Sequence, residues 1–158
     1  MVLQRFRNNI ASNPTLSLHQ SAYRPFHSTE TALFLVMNDT YKACSNRNAV
    51  LMMSLDLYAA IETISSDVLL NCLCTEFGLK ERAFSCIAAY LCKRKQFVKI
   101  GRHFSPAVLI DAGVPQKSVL GPILFTIYIS TVKHIIDNYG IIFHQYADDT
   151  HFHIYITQ

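Results

Sequence analysis

Apolar positions along the chain recur with two different periods, and the changes of period mark its elements. Residues 1 to 21 show neither, and Asn13-Pro14 with the polar run to Ser21 reads as a loop over the surface. His27-Ser28-Thr29-Glu30 has the form of a helix start, with Ser28 as N-cap and Glu30 favoured by the helix dipole. Leu33, Met37, Tyr41 and Cys44 then recur at helical spacing, with Phe34 and Val36 alongside, until Ser45-Asn46-Arg47-Asn48 ends the helix. Ala49 to Leu55 is apolar apart from Ser54 and short enough for a strand buried on both faces, and it ends on a charge, Asp56. A second helix starts near Ser65 or Ser66, carries Leu69, Leu73 and Phe77 on one stripe, and closes at Gly78. The third, from about Lys80 to Cys92, spaces Phe84, Ile87, Ala88 and Leu91 along one face.

The pattern then shortens. Lys93-Arg94-Lys95, Phe97 to Ile100, a Gly101-Arg102 turn and Ala107 to Ile110 predict a hairpin with a cationic flank. Gly113-Val114-Pro115-Gln116 is loop, and Ser118 to about Ile136 is a long buried helix. Asn138-Tyr139-Gly140 leads into a last hairpin, Gly140 to Tyr146 and Thr150 to Ile156. There Thr150, Phe152, Ile154 and Ile156 alternate with His151, His153 and Tyr155. The order of helix, strand, two helices, hairpin, helix and hairpin is an α+β pattern: a mainly antiparallel sheet with helices packed on one face. No internal repeat or linker divides the chain, so residues 1–158 are expected to form one domain.

Composition narrows this. With 51% apolar and 16% charged residues, extended disorder is excluded. The five cysteines are odd in number and lack Cys-x-x-Cys spacing, which argues against a disulfide framework or zinc ribbon and for a reducing, intracellular compartment. Ile123 to Val132 is too short to span a bilayer, so no membrane is expected. A net charge of +3 permits nucleic acid without demanding it.

Candidate chemistry concentrates on three carboxylates. Asp148-Asp149 stands at the tip of the last hairpin, where adjacent carboxylates repel and are either solvated or bound to a cation. Asp56 ends an apolar strand, where a charge is costly unless paired, solvated or holding a metal. If the strand lies beside the last hairpin, the three meet at one sheet edge. Two readings stay open on these residues: a divalent-metal site, or a helix-capping Asp56 with a polar turn. A two-residue turn at Asp148-Asp149 would also set His144 opposite His153. With His151 these form either a transition-metal site or, more simply, polar residues on the hairpin's less buried face.

Five blocks then carry a resemblance: Gln20-Ser21-Ala22-Tyr23-Arg24-Pro25; His27-Ser28-Thr29-Glu30-Thr31-Ala32-Leu33; Leu55-Asp56-Leu57-Tyr58-Ala59-Ala60; Gly113-Val114-Pro115-Gln116-Lys117-Ser118-Val119-Leu120-Gly121-Pro122; and Tyr146-Ala147-Asp148-Asp149-Thr150. In this order they resemble successive blocks of the reverse transcriptases of non-LTR (LINE-type) retrotransposons. The resemblance implies a fingers/palm fragment of a right-handed polymerase, an RNA-directed DNA polymerase moving a nucleotide from a dNTP to a DNA primer 3′ end on an RNA template. Asp56, Asp148 and Asp149 would be its catalytic, metal-binding carboxylates, holding two Mg²⁺ or Mn²⁺ ions. Ala60, Ile61, Pro115, Gln116, Tyr146 and Arg24 would contact nucleotide or template, Gln116 most directly. Lys93 to Arg102 would follow a phosphate backbone. The location implied is intracellular, and nuclear if the chain serves retrotransposition.

The sequence departs from the family pattern at three positions. Ile61 stands where an aromatic packs against the sugar, Glu62 where a shorter Asp is usual, and Lys117 where a glycine allows close backbone approach. The family also continues into a thumb, with an endonuclease in many members. The expectation is weak or absent synthesis by these 158 residues, the missing thumb being supplied by a longer parent polyprotein. The alternative is a non-catalytic nucleic-acid-binding remnant of a mobile element.

Overall fold

The structure, a computed structural model, describes residues 6, 10, 13, 16 and 19–156. Its elements are α1 (Thr29–Ser45), β1 (Ala49–Leu55), α2 (Ser66–Thr75), α3 (Glu81–Leu91), β2 (Arg94–Gln96), β3 (Lys99–Ile100), β4 (His103–Phe104), β5 (Val108–Ile110), α4 (Gly121–Asp137), β6 (Ile142–Tyr146) and β7 (Asp149–Ile156). They divide between two compact units, one drawn from residues 1–58 and 129–158, the other from 59–128.

In the first unit a three-stranded antiparallel sheet runs β1-β7-β6. The strand ending at Asp56 therefore does lie beside the last hairpin. Successive strand residues point to opposite faces, so Met52, Ser54, His144, Tyr146, Asp149, His151 and His153 share one face by register. Helix α1 packs over it, lining a cavity of about 330 Å³ with Leu33, Val36 and Met37. Ser28 caps α1 as expected: its hydroxyl accepts from the Thr31 N–H while Thr31 Oγ1 accepts from the Ser28 N–H. That reciprocal pair satisfies two groups a helix start leaves open.

Two expectations about burial fail here. The residues of α1 that are buried are Val36 and Ala43, whereas Leu33, Met37, Tyr41 and Cys44 are exposed. Helical spacing identifies a stripe but not which neighbour covers it. Strand β1 is likewise exposed rather than buried on both faces, and among the described residues it is an outer strand that pairs only with β7.

In the second unit Leu69 and Leu73 of α2 and Ile87 and Leu91 of α3 are buried on the stripes their spacing predicts. The first half of α4 adds Leu124, Phe125 and Ile127 to its buried residues. Burying each such side chain stabilises by roughly 1.5–3 kcal/mol. The middle hairpin forms with its turn at Gly101-Arg102, β3 pairing β4 and, at its base, β2 pairing β5. No helix among the described residues is long and apolar enough to cross a membrane.

Candidate active site

The last hairpin turns at Ala147-Asp148, one residue earlier than the alternation suggested, so Tyr146 faces Asp149 and His144 faces His151. Both registers keep every side chain on the same face and differ by a two-residue slide along β7. The hydrophobic pattern therefore cannot choose between them. What chooses is Gln20, a residue expected in a surface loop and in fact wholly buried (0% exposed). Its side-chain amide donates to the Ala147 carbonyl at 2.9 Å and accepts from the Ala147 N–H at 3.0 Å and from the Ala22 N–H at 2.9 Å. The backbone beside it pairs with β6: Ser21 N–H donates to the Gln145 carbonyl, and Gln145 N–H to that of His19. Ala147 is held at φ 54° and Asp148 is not in that region, the arrangement of a type II′ turn in which glycine is favoured at the first position.

Asp56 follows directly on the β1–β7 ladder, whose last pair is Leu55 with Thr150. One step further, the register sets Asp56 against Asp149. Asp56 and Asp149 are exposed and Asp148 half-buried in the turn. No group of three or more His, Cys, Asp or Glu among the described residues stands close enough to hold a metal ion. The carboxylates share an edge without closing on one point. Their chemistry still fits a divalent ion, since Mg²⁺ takes one or two carboxylates and fills its shell with water and substrate phosphate. Tyr23 joins this edge. Partial burial raises its phenol pKa, as do the charge of Asp148 and then Tyr146. Tyr23 lies inside the first quoted block, but its proximity to Asp148 comes from the Gln20 pairing and leaves no mark in the sequence. Arg24 donates to the Gln20 carbonyl at 3.3 Å, so its guanidinium is partly engaged in holding the segment.

The second unit assembles the loop residues independently. Gly113, at φ 79°, lies so close to Glu62 that a Cβ would stand 2.6 Å from the Glu62 carbonyl oxygen. Only glycine fits. Its N–H donates to the Ile64 carbonyl at 2.7 Å, and Val114 N–H to that of Ile61 at 3.0 Å. These bonds bring Ala60, Ile61, Pro115 and Gln116 together, and the Gln116 amide donates to the Glu62 carboxylate. Arg94 donates to the carbonyls of Leu91, Ala112 and Gly113, which ties it to the loop rather than to the phosphate track expected of residues 93–102. Lys117 sits at φ 54°, a conformation that costs a non-glycine residue about 1–2 kcal/mol. The backbone there still has the geometry a glycine would serve.

The histidines do share the hairpin's less buried face, since Phe143, Gln145 and Thr150 are buried on the other, but His153 is covered where it stands. His153 is 1% exposed, and neither ring nitrogen meets a hydrogen-bond partner among the described residues. Its ring lies 5.6 Å from that of His144, whose Nε2 is 2.9 Å from Asp39 Oδ2. His151 Nδ1 pairs with Ser54 Oγ at 2.9 Å. Burial, reinforced by His144, lowers the His153 pKa against the opposing pull of Asp39; burial, His144 and Lys133 lower that of His19 against Asp137 and a backbone bond at Phe143.

Comparison with known proteins agrees with this architecture. The model of the reverse transcriptase (RNA-dependent DNA polymerase) family matches residues 1–156, and the chain belongs to that family. It is 23% identical over 154 residues to a Drosophila melanogaster protein described as "Probable RNA-directed DNA polymerase from transposon BS", covering 94% of this chain and 17% of that one. It is 29% identical over 136 residues to the RNA-directed DNA polymerase from mobile element jockey of the same organism, covering 83% and 15%. The chain thus spans less than a fifth of these relatives. Apo telomerase from Candida tropicalis, truncated of its C-terminal domain, superposes with a TM-score of 0.69 at 17% identity, over 96% of this chain and 32% of that one. Candida albicans telomerase in complex with a fragment of telomeric RNA gives 0.59 at 12%, over 96% and 30%. These structures share the α+β polymerase fingers/palm fold.

Gln20→Leu keeps the volume but strands the Ala147 N–H and carbonyl and the Ala22 N–H. We expect a loss of about 2 kcal/mol or more in urea unfolding, with faster hydrogen exchange at Ala147. The buried histidines make stability depend on pH. Below the ordinary histidine value of 6.5 the unfolded chain takes up protons that folded His153 and His19 resist. Stability is therefore complete above pH 6.5 and falls as acidification proceeds from there to the lowered folded values. His153→Leu should flatten that slope in melts between pH 7 and 5 (roughly the range in which histidine titrates), while leaving the neutral-pH midpoint no lower.

Proposed function

We propose that this chain carries the catalytic carboxylates of an RNA-directed DNA polymerase. The observation that carries the reading is the β1–β7 register, which delivers Asp56 to the same sheet edge as Asp148 and Asp149. In the reaction the primer 3′ hydroxyl attacks the α-phosphorus of a dNTP; a new P–O bond forms and pyrophosphate leaves. Asp56, Asp148 and Asp149 would hold two divalent cations, Mg²⁺ or Mn²⁺, which when bound neutralise charge on the reacting phosphates. The loop side would use Gln116 as an amide donor to the incoming nucleotide or template, with Pro115 and Ala60 shaping the contact. Ile61, an aliphatic, would stand against the sugar and exclude a ribose hydroxyl less firmly than an aromatic. Tyr146, paired with Asp149, would flank the primer end. Arg24 would reach a triphosphate or template phosphate only by giving up its bond to Gln20.

The family membership supports this activity, and the complex of the Candida albicans neighbour with a fragment of telomeric RNA supports an RNA partner. The relatives' descriptions as RNA-directed DNA polymerases support a growing DNA strand as primer, and their greater length supports a longer parent protein. If the chain serves retrotransposition its place of work is the nucleus. The Gln116–Glu62 bond favours weak turnover, since the amide is engaged before any substrate arrives.

Primer extension on an RNA template with Mn²⁺ tests the reading. The expected product is an addition of a few nucleotides, lost in Asp148→Asn; extension that survives this substitution removes the carboxylates from the mechanism. Lys117→Gly should raise the yield several-fold and stabilise the chain by up to about 1 kcal/mol, the relieved backbone cost less glycine's entropy.

A further inference from the structure

The hairpin of β3 and β4 takes no part in the site above, and it combines exposed rings with a run of cations free of carboxylates. Residues 93–110 contain five Lys and Arg, one His and no Asp or Glu. Every residue from Lys95 to Leu109 is exposed. Among them are two aromatic rings, Phe97 (55% exposed) and Phe104 (59%), which a soluble surface would be expected to cover. The backbone gathers them. Lys99 pairs with Phe104 across the strands, and Phe97, two residues before Lys99, shares that face. The two rings lie 5.4 Å apart at 60°, and Lys99 Nζ stands 5.1 Å from the Phe104 ring centre.

The hairpin is also braced. Ser105 N–H donates to the Val98 carbonyl, and Val98 N–H donates back to Ser105 Oγ, both at 2.9 Å. Gly101 makes the turn at φ 59°. Arg94 is committed to carbonyls at the base, which leaves Lys93, Lys95, Lys99 and Arg102 as the exposed cations.

We propose that this face binds an unpaired nucleic-acid strand, with bases stacking on Phe97 and Phe104 and phosphates held by Lys93, Lys95, Lys99 and Arg102. Charge selects the occupant: a run of cations with no acidic residue complements a polyanion. The rings select its form, because only unstacked bases offer a free π-face to an aromatic side chain. Contact of this kind tolerates any sequence and discriminates against duplex.

The test uses the full chain in EDTA without nucleotide, so it is independent of the carboxylate site. The probe is an oligouridylate of about 12 nucleotides carrying one fluorescent purine analogue, compared with the same strand as DNA and as a duplex. The wild-type chain should favour both single strands over duplex and quench the analogue. An RNA preference over DNA would identify the template strand as occupant; equal affinity would identify any unpaired strand. The double substitution Phe97→Ser with Phe104→Ser should weaken binding about tenfold or more and abolish quenching, leaving the salt dependence unchanged. Phe97→Tyr with Phe104→Tyr should restore both. Lys99→Gln with Arg102→Gln should lower the salt slope by about 0.7 per cation removed. Unchanged affinity in the Ser pair would overturn the proposal, as would equal binding of duplex without quenching. So would self-association of the wild-type chain that the Ser pair abolishes while strand binding stays as it was.

Discussion

A single neutral side chain fixes the geometry of the acidic hairpin. Gln20 presents an amide to Ala147 as a neighbouring strand would, one donor and one acceptor, across 127 residues of sequence. A hairpin tip bearing two adjacent carboxylates works against its own closure, because like charges repel. An amide can satisfy both backbone groups of Ala147 without adding charge, and its complete burial strengthens each bond. A carboxylate in its place would accept but could not donate, and would add a third negative charge. The position of Tyr23 beside Asp148 and the pairing of Tyr146 with Asp149 both follow from that one contact.

The second unit reaches comparable definition by a different route. Its loop is fixed by backbone approach: Gly113 lies against Glu62, and three carbonyls of the surrounding chain converge on or near Arg94. Here side-chain identity matters where bulk is forbidden and little elsewhere, which is why Lys117 can occupy a left-handed position without dissolving the loop. The framework for binding and the residues that would perform it have separate physical supports. Change in one need not erase the other.

Local pattern was enough to place the helices and the Gly101-Arg102 turn, whereas the neighbourhood of β1 and the last hairpin stood only as a condition, which the register meets. The Ser28 cap was readable because capping depends on neighbours in sequence. The three carboxylates and the Gly113–Gln116 loop could be named because motif residues are local too. What failed was whatever depended on distant partners. The burial of Gln20, the exposure of β1 and the covered ring of His153 are set by which element lies next to which. Alternation along β7 assigned faces correctly yet could not resolve a slide of two residues. The engagement of Arg94 by carbonyls, in a run that reads as solvated charge, belongs to the same class.

The outer position of β1 has one more consequence. A strand pairs on two sides, and among the described residues β1 uses only the side facing β7, which leaves its other row of N–H and carbonyl groups as a place for strand addition. The sheet can grow there by one more extended segment without disturbing any existing pair. A segment entering alongside Leu55 would run past Asp56, and its side chains would arrive on the flank opposite Asp149. Among the described residues, a fourth strand added to β1 would complete the sheet beside the acidic edge.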